Sequence, residues 1–223
     1  MTETLYKVLR ADGVPVYGLG VWNLPHDNEP GEWMPKIAGS LVPCKNGYHL
    51  CRREDLVRHL SECVYTAEYS GEYIDSVNEI VVRRARLLAP IMTWTHRTAR
   101  LFACDCAERV LAIYEQHYDD DQGPRNAIAS ARRYAIGDAA PVELAAARAA
   151  VWNAAWDAVW DTAMDNAAGN ATMASIHAAG EFVAIVPEAA AWAAAEAAAG
   201  LGTETKERAW QTARLFEYLE ATR

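Results

Sequence analysis

The sequence predicts an α+β chain: a small, mixed, strand-rich domain over residues 1–90, then an alanine-rich, all-α helical bundle over 91–223. Two compositional shifts and a change of punctuation carry this reading. Five alanines fall before Ile91 and 38 from there on, while proline runs the other way, six against three. From Met92 onward, strand turns give way to helix caps. Hydrophobic residues make up 52% of the 223, enough for a core and too many for a disordered chain. The net charge is −9, with 21 Lys and Arg against 30 Asp and Glu. No basic cluster marks a nucleic-acid-binding face.

The elements follow in order. Leu5 to Leu9 and Pro15 to Tyr17, separated by Ala11-Asp12-Gly13, read as an opening hairpin. Asn23 to Gly39 holds three prolines and several acids and reads as an ordered surface loop. Asn46-Gly47 signals a turn, since both residues tolerate positive φ. Arg53 to Leu60 has apolar residues at helical spacing and predicts a short helix. Val64 to Tyr69 and Glu79 to Leu88 predict two closing strands. Six helices are expected beyond the joint at Ala89 to Thr95. Thr95 to Tyr118 carries an apolar stripe, and Pro124 to Ala135 ends at Gly137. A third helix opens at Asp138 and Pro141 and runs to Ala168 before Gly169. Asn170 to Val186, Pro187 to Ala199 and Thr203 to Ala221 complete the set.

Three clusters are candidates for chemistry. Cys44, His49, Cys51 and Cys63 lie within twenty residues, but neither the CxxC nor the HxxxH spacing of zinc sites occurs. The bland reading is buried thiols beside a hydrogen-bonded core histidine, and no metal is assigned. His49 and Cys51, two apart on a strand, share a face and could bind a ligand or form a nucleophile pair, which would need a third, orienting group. Trp152, Trp156 and Trp160 recur one helical turn apart and read as core filler, with a ligand platform as the sharper alternative. Asp157, Asp161 and Asp165 repeat one residue on, as a solvated face or a binding surface for a basic partner. No cofactor is expected.

Two resemblances follow from particular segments. Pro43-Cys44-Lys45-Asn46-Gly47-Tyr48-His49-Leu50-Cys51, with the helix and strands after it, resembles a small domain of phage and bacterial genomes with no established activity to carry over. Its strand order also loosely resembles ADP-ribosyltransferase-like folds, which would draw Arg10, His49, Tyr65 and Glu68 or Glu72 into one site, although no Ser-Thr-Ser triplet is present. Thr98 to Leu111, Gly123-Pro124-Arg125-Asn126-Ala127-Ile128 and Glu207-Arg208-Ala209-Trp210-Gln211 resemble the helical immunity-protein family associated with bacterial toxin systems. That family often carries histidines where this long helix has tryptophan and aspartate.

The expected function is therefore a non-enzymatic protein-binding role, an immunity-type or phage-encoded accessory that occupies a toxin or host factor. The alternatives are a nucleotide-acting enzyme working through the first domain, and a structural phage or assembly component. The N-terminus does not read as a signal peptide. No apolar run approaches a membrane span. Five cysteines without a secretory signal point to reduced thiols in a bacterial cytoplasm.

Overall fold

The computed structural model describes residues 3–116, 118–159, 167–180 and 186–221; within these, the side chains of 153–159, 168 and 169 are not described. The fold is α+β, a strand-rich region of two small sheets followed by a helical region with six helices among the described residues. It divides into two compact units, Met1–Trp94 and Thr95–Arg223.

In the first unit, β1 (Leu5–Leu9), β3 (Cys63–Tyr69) and β6 (Ala85–Pro90) form one antiparallel sheet in the order β1-β3-β6. β2 (Tyr48–Leu50), β4 (Tyr73–Asp75) and β5 (Ile80–Val82) form the other, in the order β2-β5-β4. Paired backbone bonds between Tyr6 and Cys51, 2.9 and 2.8 Å, stitch the sheets together. Leu5, Leu9, Trp22, Leu50, Tyr65, Val82 and Leu87 build the core.

Four local expectations are corrected. Pro15 to Tyr17 forms no strand, because β1 pairs with β3 instead of a sequence neighbour. The strand expected over Glu79 to Leu88 is two strands in different sheets. Arg83 and Arg84 mark the crossing, and their guanidinium groups donate to the carbonyls of Ile37 and Met34. Arg53 to Leu60 holds one 3-10 turn, Leu56–Arg58, where a helix was expected. The turn expected at Asn46-Gly47 closes earlier, between Val42 and Asn46, with Cys44 at its tip in the left-handed region, φ 59°. Asn46 instead ties the preceding loop through its side-chain amide, which donates to the carbonyls of Ala38 and Ser40.

The loop from Asn23 to Gly39 is ordered. Gly31, Met34 and Ile37 donate their backbone N–H groups to Leu87, Ala85 and Arg83, so the loop runs along β6 and covers that edge.

Gly47 is needed for close approach. A Cβ there would lie 2.3 Å from Val81 Cγ1, and φ is +147°. Val81 is fully buried and pairs with His49. Gly47→Ala is therefore expected to destabilise the chain by about 1–3 kcal/mol, measured as a lowered urea midpoint.

In the second unit, α1 (His96–Glu115) packs on α2 (Gly123–Ile136), α4 (Ala167–Ala178), α5 (Val186–Ala199) and α6 (Glu204–Leu219); α3 (Pro141–Val159) packs on α2 and α4. Caps follow the sequence signals. Thr95 and Thr98 form a reciprocal capping box on α1, and Gly137 ends α2 in the left-handed conformation. Gly169 ends nothing and lies inside α4. Ala99, Ala103 and Ala107 on α1, Ala171, Ala174 and Ala178 on α4, and seven alanines of α5 are all buried. Such small side chains let helix backbones come close. Phe102, Leu215 and Phe216 supply the bulk between them.

Candidate functional site

The sequence-predicted His49 and Cys51 meet at a cavity of about 490 Å³ in the strand-rich unit. His49 presents its ring from β2, and its Nε2 accepts the Cys44 backbone N–H at 3.0 Å. That places the ring proton on Nδ1. Glu79 Oε1 faces the same Nε2 at 3.6 Å, and the Cys44 thiol points at Glu79 from 3.8 Å. Burial holds His49 below the usual histidine range, against the pull of Glu79. Cys51 is buried at the end of β2, and burial pushes its thiol up to about 12. His59 donates from Nε2 to the Asn78 carbonyl at 3.2 Å.

Lys7 completes this cluster, and sequence reading passed over it. On β1 it shares the core-facing side with Leu5 and Leu9. Its Nζ donates to the His49 carbonyl at 3.0 Å and sits 5.1 Å over the Trp22 ring. Burial drives its ammonium below the usual lysine range. A lysine inside an otherwise apolar alternation was the available signal.

Cys44, His49 and Glu79 are not arranged as a nucleophile relay. A relay uses both ring nitrogens of the histidine, one toward the nucleophile and one toward the acid. Here Cys44 and Glu79 both lie on the Nε2 side. Among the described residues, no three His, Cys, Asp or Glu side chains are placed to hold a metal ion. Arg10, Tyr65, Glu68 and Glu72 do not line this cavity. Arg10 pairs with Asp12, Glu68 with Arg86 and Glu72 with Arg83.

In the helical unit, the motif residues are ties between helices. Asp105 of α1, nearly buried, takes Arg132 of α2 at 2.8 Å and, from α6, Arg214 at 2.7 Å and the Tyr218 hydroxyl at 2.6 Å. Arg109 of α1 reaches the buried Glu207 of α6 at 3.0 Å and lies 4.6 Å over the Trp210 ring. Gln211 donates to the Ala191 carbonyl of α5 at 2.9 Å and to Glu207 at 3.2 Å. Arg100 donates to the carbonyls of Ala178 and Gly180 at the end of α4. Two of the quoted segments, Thr98 to Leu111 and Glu207 to Gln211, thus tie α1 to α2, α4 and α6, and α6 to α5.

A family model described as Imm-5 like putative immunity protein matches residues 89–218, more than half of the chain. The chain belongs to that family. Comparisons with curated proteins and with solved structures return no match. The family segment begins at Ala89, so nearly all of the strand-rich unit lies outside it.

The tryptophan and aspartate series of this immunity-family helix is only partly visible. Trp152, expected in the core, is 43% exposed on α3. Its neighbour Val151 is the buried residue there, so the stripe falls one position away from the indole. The side chains of Trp156 and Asp157, and residues Trp160, Asp161 and Asp165, lie outside the described residues.

A different face stands out on α5. Its inner side is buried alanine, while Trp192 is 60% exposed. Glu188 and Glu196 flank it at i−4 and i+4, one turn away on the same face. Elsewhere in the helical unit several acids are matched to arginines, as in Glu115 with Arg125, Glu108 with Arg132, Glu143 with Arg133 and Glu217 with Arg214. Among the described residues no ion pair is formed by Glu188 or Glu196. Burial alone raises the Glu188 carboxyl to about 7. Sequence reading missed this face because α5 reads as an alanine run in which a single tryptophan has no periodic partner.

Proposed function

We propose that this chain is an immunity protein that neutralises a basic protein toxin by binding it, without chemistry, through the outer face of α5. One observation supports this reading most: Trp192, exposed and flanked by two acids that form no ion pair among the described residues, on a scaffold where several other acids are paired with arginines. Aromatic residues surrounded by a charged rim are what binding hot spots use. A net charge of about −7 on the helical half, from 11 Lys and Arg against 18 Asp and Glu, speeds encounter with a cationic partner. No helix of the described residues is long and apolar enough to cross a membrane. The compartment that fits this reading is the cytoplasm of a bacterium or phage-infected host.

The test is co-expression with toxins from the same genome. Growth should be restored, and the rescued toxin should co-purify with this chain and keep its mass. Failure to rescue any of them, or a rescued toxin carrying a covalent modification, would contradict the proposal.

Glu188 gives a prediction that needs no toxin. Its carboxyl ionises near 4.5 in an unfolded chain and at about 7 in the folded one. The folded state therefore holds the extra proton between those values, so Glu188's contribution to stability falls as pH rises through that window and levels off above it. Glu188→Gln is expected to remove this fall and to raise stability at pH ~8 by about 1–3 kcal/mol, after allowance for solvent screening. Urea titrations across the window check it. An unchanged pH profile would show that the carboxyl is solvated like any other.

A further inference from the structure

The strand-rich unit, which the family match leaves almost untouched, carries a built cavity that the toxin-binding reading does not use. Its floor combines an ammonium and a carboxylate. Lys7 sits on the core-facing side of β1, where lysine is rarely found unless satisfied. It has three N–H donors, and one is taken by the His49 carbonyl. Among the described residues no carboxylate lies in ion-pair contact with it, so the other donors are available to an acid group.

The imidazole and carboxylate in the same lining have the reverse shortage. His49 Nε2 and Glu79 Oε1, both acceptors, face each other at 3.6 Å. The Cys44 N–H already serves the first, and the Cys44 thiol is a weak donor to the second. A further N–H donor would satisfy both. The rim is apolar and exposed. Tyr17 is 73% and Val77 90% exposed, and both line the cavity. Exposed apolar residues over a polar floor are the usual form of a small-molecule site.

We propose that this cavity binds a small organic molecule carrying both an acid group and an N–H donor. The acid goes to Lys7, the donor to the His49–Glu79 pair, and the apolar body lies against Tyr17 and Val77. A nucleotide and a free apolar amino acid share this chemistry, so the test has an arm for each. Calorimetry on the full chain uses adenosine monophosphate against adenosine, and L-phenylalanine against phenethylamine. The expected result is that one acid-bearing probe binds about tenfold or more tightly than its acid-free counterpart, as a charge-assisted bond to a buried ammonium would give.

Lys7→Met, which keeps the length and removes the charge, should erase that difference while leaving the chain folded. Glu79→Gln should weaken the acid-bearing probe that binds. Should Lys7→Met not fold, the decision passes to chemical-shift titration of the native chain with the same probes. The amides of Tyr17, His49 and Val77 should then move together. The proposal is overturned if neither acid-bearing probe binds, if each acid-free counterpart binds equally, if Lys7→Met binds like the native chain, or if those amides stay fixed.

Discussion

Trp192→Ala is expected to weaken toxin binding by about 2–4 kcal/mol, a thirtyfold to several-hundredfold rise in Kd, without loss of folding. The indole is 60% exposed, so its removal leaves no cavity, and stability should change by no more than about 0.5 kcal/mol. The effect on binding is large because an aromatic group at the centre of an interface is desolvated on every side, whereas the acids around it stay partly wet. Glu196→Gln should therefore act mainly on the association rate and on its salt dependence. Val142→Ser is the control. Val142 is 72% exposed at the start of α3, a helix that packs on α2 and α4, and its loss should leave affinity unchanged. Surface binding of each variant to immobilised toxin measures both effects. If Val142→Ser weakened binding and Trp192→Ala did not, the docking face would lie elsewhere on the helical unit.

The second large effect is on folding. Asp105→Ala is expected to destabilise the helical unit by about 2–4 kcal/mol. Asp105 is 8% exposed and receives Arg132, Arg214 and the Tyr218 hydroxyl. Removing it leaves two guanidinium groups and a phenol without their shared acceptor, at the place where α1, α2 and α6 meet. The arginines are about one-third exposed, so water recovers part of the loss, which keeps the figure below that of a fully buried pair. Glu108→Ala removes a neighbouring, exposed partner of Arg132 and should change stability by only about 0.5 kcal/mol. Loss of the helical circular dichroism signal in urea separates the two variants.

These ties explain what the sequence made legible and what it did not. Five helix starts and ends were readable because their signals are local: Thr95, Pro124, Gly137, Pro141 and Pro187 act on the backbone within a turn of their own positions. The third helix, expected to reach Ala168, and the fourth, expected over Asn170 to Val186, were misplaced: Ala167 and Ala168 belong to α4, which ends at Ala178, and Val186 opens α5. The quoted segments Thr98 to Leu111 and Glu207 to Gln211 were visible as motifs, yet their role was not. Arg109 and Glu207 meet only when α6 folds back onto α1. Strand pairing failed for the same reason. Leu5 pairs with Ala67, so the apparent hairpin partner at Pro15 to Tyr17 was the nearer and wrong choice.

The candidate sites show the limit more sharply. His49 was visible as a polar residue in a strand, but its partner Glu79 comes from the neighbouring strand's leading edge, and the Cys44 thiol turns toward that pair. Lys7 drew no attention as one residue of the first strand. The alternation places it inside with Leu5 and Leu9, and only the pairing of β1 with β3 reveals which side is inside. Trp152, with its regular spacing, drew attention that exposure on α3 does not repay with core packing, while the solitary Trp192 carries the exposed face.

The most direct measurement of the central claim is a titration of the purified, rescued toxin with the full chain at rising ionic strength, followed by mass determination of both proteins. The account predicts a stoichiometric complex whose affinity falls as salt rises, with the toxin inactive only while bound and both masses unchanged. Toxin that stays inactive after the chain is removed, or that is inactivated with no complex at any salt concentration, would contradict it.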